Sequence, residues 1–181
     1  MFDILRKSKN PHDPLVAHNV YNDLVDQARQ PIFYKEWGVP DTVEGRFEMI
    51  VLHMFFVLKS LQEHEDNETA ESFSQSLFDI MFLDMDRSLR EQGVGDLGVP
   101  KHIKRMAKAF YGRVFAYEKG LEEDNLTTAL HRNVYANTDI ATDKLAALAL
   151  YSKHQYDTVM NIALEDLLQG NVKWAPASSQ A

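Results

Sequence analysis

The sequence predicts an all-α fold, a single-domain bundle of about six helices. Apolar residues recur at spacings of three and four over most of the chain, which is the pattern of helices with one buried face. No stretch alternates apolar and polar residues for long enough to form a strand. With 181 residues and a hydrophobic fraction of 45%, the chain is long enough to bury one sizeable core.

A capping residue and a proline predict the start of the first helix. Asp13 offers a side-chain acceptor, and Pro14 suits the first helical position. Pro31 marks the end of this helix. The predicted core-facing stripe consists of Leu15, Val20, Leu24 and Ala28.

Residues 31–40 are predicted to form a loop, because they contain two prolines and a glycine. This loop carries three large aromatic residues, Phe33, Tyr34 and Trp37. They either anchor the loop to the core, as large apolar side chains usually do, or they contact a partner. We retain all three as candidate partner-binding residues.

The second predicted helix is the most apolar part of the chain. Asp41 and Glu44 suggest a capping box at its start. Residues 49–58 form a ten-residue apolar run interrupted only by His53. A membrane span needs roughly 20 such residues, so the run predicts a helix buried at the centre of the bundle. We expect His53 to be a core histidine with a hydrogen-bond partner.

The remaining helices are predicted from periodicity and from the residues that end them. The third has a core face made of Phe73, Leu77, Ile80 and Met81. Residues 142–168 are helical in pattern, either as one helix or as two that break near His154. The predicted ranges are residues 71–91, 100–118, 126–136 and 142–168. We expect a flexible N-terminus at residues 1–13, the helical domain at residues 14–169 and a disordered tail at residues 170–181.

Composition and motifs argue against catalysis. The absence of cysteine excludes disulfides, thiolate metal sites and a cysteine nucleophile. No Glu-x-x-His or His-x-x-x-His pair is present to hold a metal, and no nucleophile elbow supports a Ser-His-Asp triad. Gly93, Gly95 and Gly98 spell a dinucleotide-binding fingerprint, but they follow a helix instead of a strand and therefore predict a turn between helices. We expect no enzymatic activity, cofactor or metal.

Two aspartates in the third helix resemble a metal-binding pair. Residues two apart on a helix point in different directions, so one ion does not easily reach both. Asp84 can instead pair with Arg87, and Asp86 with Arg90. We predict structural ion pairs at these four residues.

The fourth predicted helix carries a basic stripe on one side, which we define as Lys101, Lys104, Arg105 and Lys108. Their spacing places them in one narrow arc, and residues 97–117 contain no acidic residue. The formal net charge of −8 argues against general affinity for nucleic acid, and we expect no specific DNA binding. The stripe is either an ordinary solvated face or a binding site for RNA phosphates, anionic lipid headgroups or acidic protein loops.

Three blocks of sequence resemble the ubiquinol–cytochrome c chaperone family. They read QARQPIFYKEWGVPDTVEGRFEMIVLH, LFDIMFLDMDRSLREQGVGDLGVPKHIKRM and AFYGRVFAY, and the resemblance covers roughly residues 20–168. It implies a non-enzymatic assembly chaperone for the quinol–cytochrome c reductase, with newly made cytochrome b as its client. Mitochondrial members act near the inner membrane with a small partner protein at the ribosome exit.

The N-terminal residues contain neither the apolar core of a signal peptide nor a convincing transit peptide, so the chain is similar to the bacterial form. We therefore expect a cytoplasmic protein, peripheral to the inner membrane. The candidate partners are cytochrome b or another reductase subunit, the ribosome, an anionic membrane surface and the small partner protein.

A carrier or enzyme for a lipophilic molecule such as a quinone or haem is the alternative. The second helix has His53, Phe55 and Phe56, which could line a pocket for such a molecule. Visible absorbance or bound lipid in the purified protein would favour this alternative. A plain RNA-binding module is a weaker third hypothesis, since no known RNA-binding motif is present.

Overall fold

A computed structural model describes residues 14–64 and 66–178, and these form helices joined by short connections. The helices are α1 Pro14–Ala28, α2 Pro31–Lys35, α3 Val43–Gln62, α4 Glu68–Glu91, α5 Val99–Glu122, α6 Leu126–Asn133, α7 Thr142–Met160 and α8 Leu164–Leu168. The described residues contain no strand. The predicted all-α bundle is confirmed, with six longer helices and two short ones.

The apolar helix α3 lies at the centre of the bundle. It packs against α1, α4, α5 and α7, and nearly every residue from Phe47 to Leu61 is buried. Its start differs slightly from the predicted one. Thr42 is the N-cap, and its side chain accepts a hydrogen bond from the Gly45 amide at 3.1 Å. Asp41 instead pairs with Arg46 at 2.7 Å.

His53 is a core histidine, as predicted. It is fully buried, and each ring nitrogen has a partner at 2.8 Å, the Met49 carbonyl for Nδ1 and the Tyr151 hydroxyl for Nε2. Phe56 contacts the His53 ring at 5.9 Å between centroids. Both ring nitrogens of His53 are thus engaged within the core, which does not favour the alternative that this residue lines a pocket for a lipophilic molecule.

The helices α4 and α5 pack against each other across the glycine-rich turn. Asn67 caps α4 by accepting hydrogen bonds from the amides of Thr69 and Ala70, and α4 begins three residues before its predicted start. Gly93 ends it in the left-handed conformation, with a φ of 84° that favours glycine. The three glycines thus belong to a turn between helices, as predicted.

Three predictions about the helices are corrected. Residues 31–35, predicted as part of a loop, form the short helix α2. Leu15, expected in the core stripe of α1, is 63% exposed. Residues 142–168 form two helices, and the break lies at residues 161–163 and not near His154.

The segment after Gly170 packs against the bundle, although its composition predicts disorder. Ala175 is buried, its amide donates to the Gln155 side chain at 2.9 Å, and its carbonyl accepts from Gln27 at 3.2 Å. The ring of Trp174 lies 5.7 Å from that of His53. Residues 171–178 thus extend the helical domain, while the predicted flexible residues 1–13 and the last three residues of the predicted tail lie outside the described part.

None of the helices in the described part of the chain combines the length and the apolar character that a bilayer span requires.

Candidate functional site

The basic stripe lies on the solvent-facing side of α5. All four of its side chains are exposed. The opposite side of the helix packs into the core through residues that include Phe110, Val114 and Tyr117. This division follows from the helical repeat, since residues three and four apart share one face.

The four cations of the stripe make no ion pair with any acidic residue of the described chain. The one side-chain hydrogen bond found among them joins Arg105 to the His102 ring at 3.1 Å. Other cations of the chain do have acidic partners, such as Lys59 with Glu118 at 2.7 Å. The stripe is therefore a local concentration of uncompensated positive charge on a chain that is acidic overall.

The aromatic residues near α2 are anchors of the core. Phe33 is 0% exposed and Trp37 is 4% exposed, and their rings lie 5.3 Å apart. Phe33 also contacts Tyr151 at 5.0 Å, while the half-buried Tyr34 donates to the Ala28 carbonyl at 2.8 Å. The assignment of Phe33 and Trp37 to partner binding is corrected, because a partner does not reach buried rings, and Tyr34 serves to attach α2 to α1.

Two other aromatic residues lie on the surface and were missed in the sequence. Tyr111 is 37% exposed and Phe115 is 66% exposed. They follow Lys108 by three and seven residues, so they continue the same solvent face of α5. This spacing is the feature of the sequence from which the exposure of both residues could have been predicted. The face is basic in its first half and aromatic in its second.

Half-buried aromatic rings of α4 adjoin this second half. The ring of Phe78 lies 5.9 Å from that of Tyr111 and 4.6 Å from that of Phe82. Together with the exposed rings of α5, they form what we call the aromatic patch, defined as Phe78, Phe82, Tyr111 and Phe115. Its two exposed members, Tyr111 and Phe115, place apolar surface in contact with solvent, a feature found at interaction sites.

A bidentate ion pair between α3 and α5 fixes how α5 is rotated on the bundle. Arg113 donates from both Nε and Nη2 to the Glu48 carboxylate, with a shortest distance of 2.7 Å. Glu48 is buried, and this burial raises its pKa against the lowering effect of Arg113. Since Arg113 is held toward the core, Gly112 and Phe115 on the other side face solvent.

The predicted ion pairs of α4 are found in part. Asp86 and Arg90 pair at 2.6 Å, and Arg90 also contacts Asp96 in the turn before α5. Asp84 does not pair with Arg87 among the described residues and instead accepts a hydrogen bond from the Tyr21 hydroxyl at 3.0 Å. Burial, and then the negative charge of Asp84, raise the pKa of Tyr21. Asp84 thus connects α1 to α4.

In the described part of the chain, no group of three or more His, Asp or Glu side chains is arranged to hold a metal ion. A polar hollow of about 570 Å³ lies at the C-terminal end of α3, where Lys59, Gln62 and His64 line it. It does not coincide with the basic stripe or with the aromatic patch, which remain the candidate site.

A family model described as ubiquinol-cytochrome C chaperone matches residues 35–174, which is most of the chain. The chain belongs to the ubiquinol-cytochrome c chaperone family. This is a family of assembly chaperones and not of enzymes.

Individual members of the chaperone family agree with the match. The ubiquinol-cytochrome-c reductase complex assembly factor 1 of Xenopus laevis is 24% identical over 165 residues, which cover 90% of this chain and 82% of the frog protein. The human protein of the same name is also 24% identical over 165 residues, and the match covers 54% of its length. The chain thus spans about half the length of the human relative.

A solved structure has the same fold. The crystal structure of the Cbp3 homolog from Brucella abortus is 36% identical in sequence, with a TM-score of 0.80 and coverage of 90% of both chains. The resemblance identified in the sequence is therefore confirmed, together with the helical bundle that it implies.

Proposed function

We propose that this chain is an assembly chaperone for ubiquinol–cytochrome c reductase that binds newly made cytochrome b through the solvent face of α5. It acts in the cytoplasm, peripheral to the inner membrane. The membership in the chaperone family supports the role in assembly. The basic stripe carries the proposal for the surface, because its four exposed cations have no acidic partner in the described chain.

Charge explains why this surface would select its client. An acidic protein repels other acidic surfaces at long range, so an acidic loop of the client is attracted only where positive charge is concentrated. Since none of the four cations must first leave an acidic partner among residues 14–64 and 66–178, contact with the client costs no ion pair of that part of the chain. The ribosome, an anionic membrane surface and a small partner protein are further proposed partners, which the resemblance implies.

The test is a charge-reversal variant in which Lys101, Lys104, Arg105 and Lys108 are all changed to glutamate. We expect it to fold, because the four side chains are exposed. The amount of cytochrome b recovered with it from crosslinked native membranes should fall by roughly tenfold or more. The reductase content of those membranes, measured from reduced b-type and c-type haem absorbance, should fall with it.

The matched control reverses four exposed cations outside the stripe, Lys35, Arg87, Arg132 and Lys173. This variant changes the net charge by the same amount and should retain both the client and the reductase. A folded stripe variant that supports full reductase assembly would refute the proposed surface. Recovery of ribosomal proteins without any reductase subunit would refute the proposed client.

A further inference from the structure

Gly112 in the middle of α5 has no explanation within the described chain. A glycine inside a helix destabilises it relative to alanine, so its presence calls for a reason. The other two helical glycines have one. A Cβ at Gly45 would lie 1.9 Å from the Pro40 carbonyl oxygen, and a Cβ at Gly120 would lie 3.0 Å from the Cα of Leu126. At Gly112, apart from its chain neighbours and the backbone of α5 itself, no atom of the described residues lies within 4 Å of that position.

Gly112 lies between the two halves of the solvent face. Lys108 is one turn before it, Tyr111 is beside it, and Phe115 is almost one turn after it. The missing side chain therefore leaves a notch in the helix surface, with both aromatic rings along one side of it and the cation of Lys108 at one end. Glycine is commonly found where another backbone approaches closely.

The two halves of the solvent face differ in character, since one is positively charged and the other aromatic, and they lie a fixed distance apart along α5. The basic stripe is centred near residue 104 and the exposed rings near residue 113, which places them roughly 13 Å apart along the axis. The rings suit an apolar segment, and the cations suit carboxylates that follow or precede it.

We infer that the notch at Gly112 receives the backbone of an apolar client segment, with acidic residues next to that segment contacting the basic stripe. The inference rests on the proposed function, since it takes the client to be a newly made membrane subunit. Tyr111 and Phe115 cover the apolar side chains of the segment, and Gly112 allows its main chain to come close to α5.

The notch distinguishes a protein segment from a bilayer. A bilayer surface gains contact from any apolar side chain added to the helix face, so a larger residue at position 112 would strengthen binding to lipid. A peptide backbone that occupies the notch is displaced by the same residue. The two occupants thus predict opposite effects of Gly112→Leu.

The experiment measures binding of a fluorescent peptide to the full chain by anisotropy. The probe has an apolar half of leucine, alanine and phenylalanine and an acidic half of aspartate and glutamate. We expect Gly112→Leu to weaken binding by roughly tenfold or more while melting at a temperature no lower than the wild type. Phe115→Ser should weaken binding to a similar degree. Leu150→Ser, which removes an exposed leucine from α7, is the control and should bind as the wild type does.

A second probe tests whether the charge of the polar half of the peptide is recognised by the basic stripe. It keeps the apolar half and replaces each acidic residue with lysine. The wild type should prefer the acidic probe, and the charge-reversed stripe variant should prefer the lysine probe, while Gly112→Leu should weaken binding of both.

Several results would overturn the inference. They are unchanged peptide binding by Gly112→Leu, absence of wild-type binding to either probe, and stronger binding of Gly112→Leu to vesicles of phosphatidylglycerol with no peptide binding. The proposed function is tested separately by reductase assembly. A stripe variant that assembles the reductase fully, beside a Gly112→Leu variant that has lost the peptide, would refute the proposed surface and leave the notch in place.

Discussion

His53 is an ionisable residue at the centre of an apolar core, and its neighbours decide its charge. Burial lowers its pKa to about 4, against the raising effect of the hydrogen bond to Met49. Tyr151, its partner at Nε2, stays neutral in this range because burial raises its pKa. His53 is therefore uncharged in the folded protein at neutral pH, and it takes up a proton on unfolding once the pH falls below about 6.5.

This difference predicts that the protein loses stability as the pH falls. The unfolded state binds the proton near pH 6.5 and the folded state only near pH 4. The contribution of neutral His53 to stability is therefore complete above pH 6.5 and decreases as the pH falls from 6.5 to 4. Between pH 7.5 and pH 5, the contribution of His53 to the free energy of unfolding should fall by about 2 kcal/mol. Urea unfolding at the two pH values measures it.

The control for this experiment is His53→Gln, which keeps a hydrogen-bonding side chain but has no titration in this range. It should be less stable than the wild type at pH 7.5 and should show a smaller loss on acidification. An equal loss in both proteins would assign the effect to other groups.

Residue roles were predictable from the sequence where the helical repeat decides them. The repeat placed the basic stripe on one face of α5 and His53 in the core of α3. It could not choose between the two interpretations of Phe33 and Trp37, because their burial depends on rings from Tyr151 and His53, distant in sequence. Periodicity could have indicated Phe115, but an aromatic residue in an amphipathic helix is usually assumed to face the core.

At the scale of elements, the contact of α3 with α5 depends on the pair of Glu48 and Arg113. Arg113→Met should cost about 2–4 kcal/mol of stability, because it leaves a buried carboxylate without its partner. The double variant Glu48→Met with Arg113→Met should recover most of that loss, since no buried charge is then left unpaired. Thermal and urea unfolding of the two variants measure the difference. A double variant as unstable as the single one would show that methionine packing, and not the charge, determines the cost.

The ends of the helices were predictable where a strong signal is present. Gly93 marks an end that the structure reproduces, and Asn67 shows that a cap inside an acidic stretch is easily overlooked. The break between α7 and α8 has neither proline nor glycine. Its local feature is Asn161, whose side chain donates to the Asp157 carbonyl at 2.7 Å, and such a contact is recognised only in three dimensions.

At the scale of the whole molecule, residues 171–178 close one side of the bundle without forming a helix. Composition predicted disorder here because short polar segments rarely bury enough apolar surface to become ordered. Trp174 and Ala175 overcome this limit by contacts with Gln27, His53 and Gln155, which come from three separate helices. No local sequence signal contains that information.

Trp174→Ala should therefore destabilise the entire domain by about 2–3 kcal/mol, although it lies close to the C-terminus. The expected result is a lower urea midpoint with an unchanged slope, measured by circular dichroism. Lys173→Ala changes the exposed residue next to it and should have little effect. A midpoint for Trp174→Ala equal to that of the wild type would contradict the role of this segment in the core.

The four cations of the basic stripe lie on a chain with a formal net charge of −8, and this arrangement gives the molecule an uneven charge distribution with a positive region on α5. In the electric field of an anionic target, such a molecule experiences a torque that turns α5 towards the target before any atoms are in contact. Most encounters then begin with α5 already facing the target. The orientation is lost when salt shortens the range of the field to roughly 10 Å, so a higher ionic strength slows the search for the target.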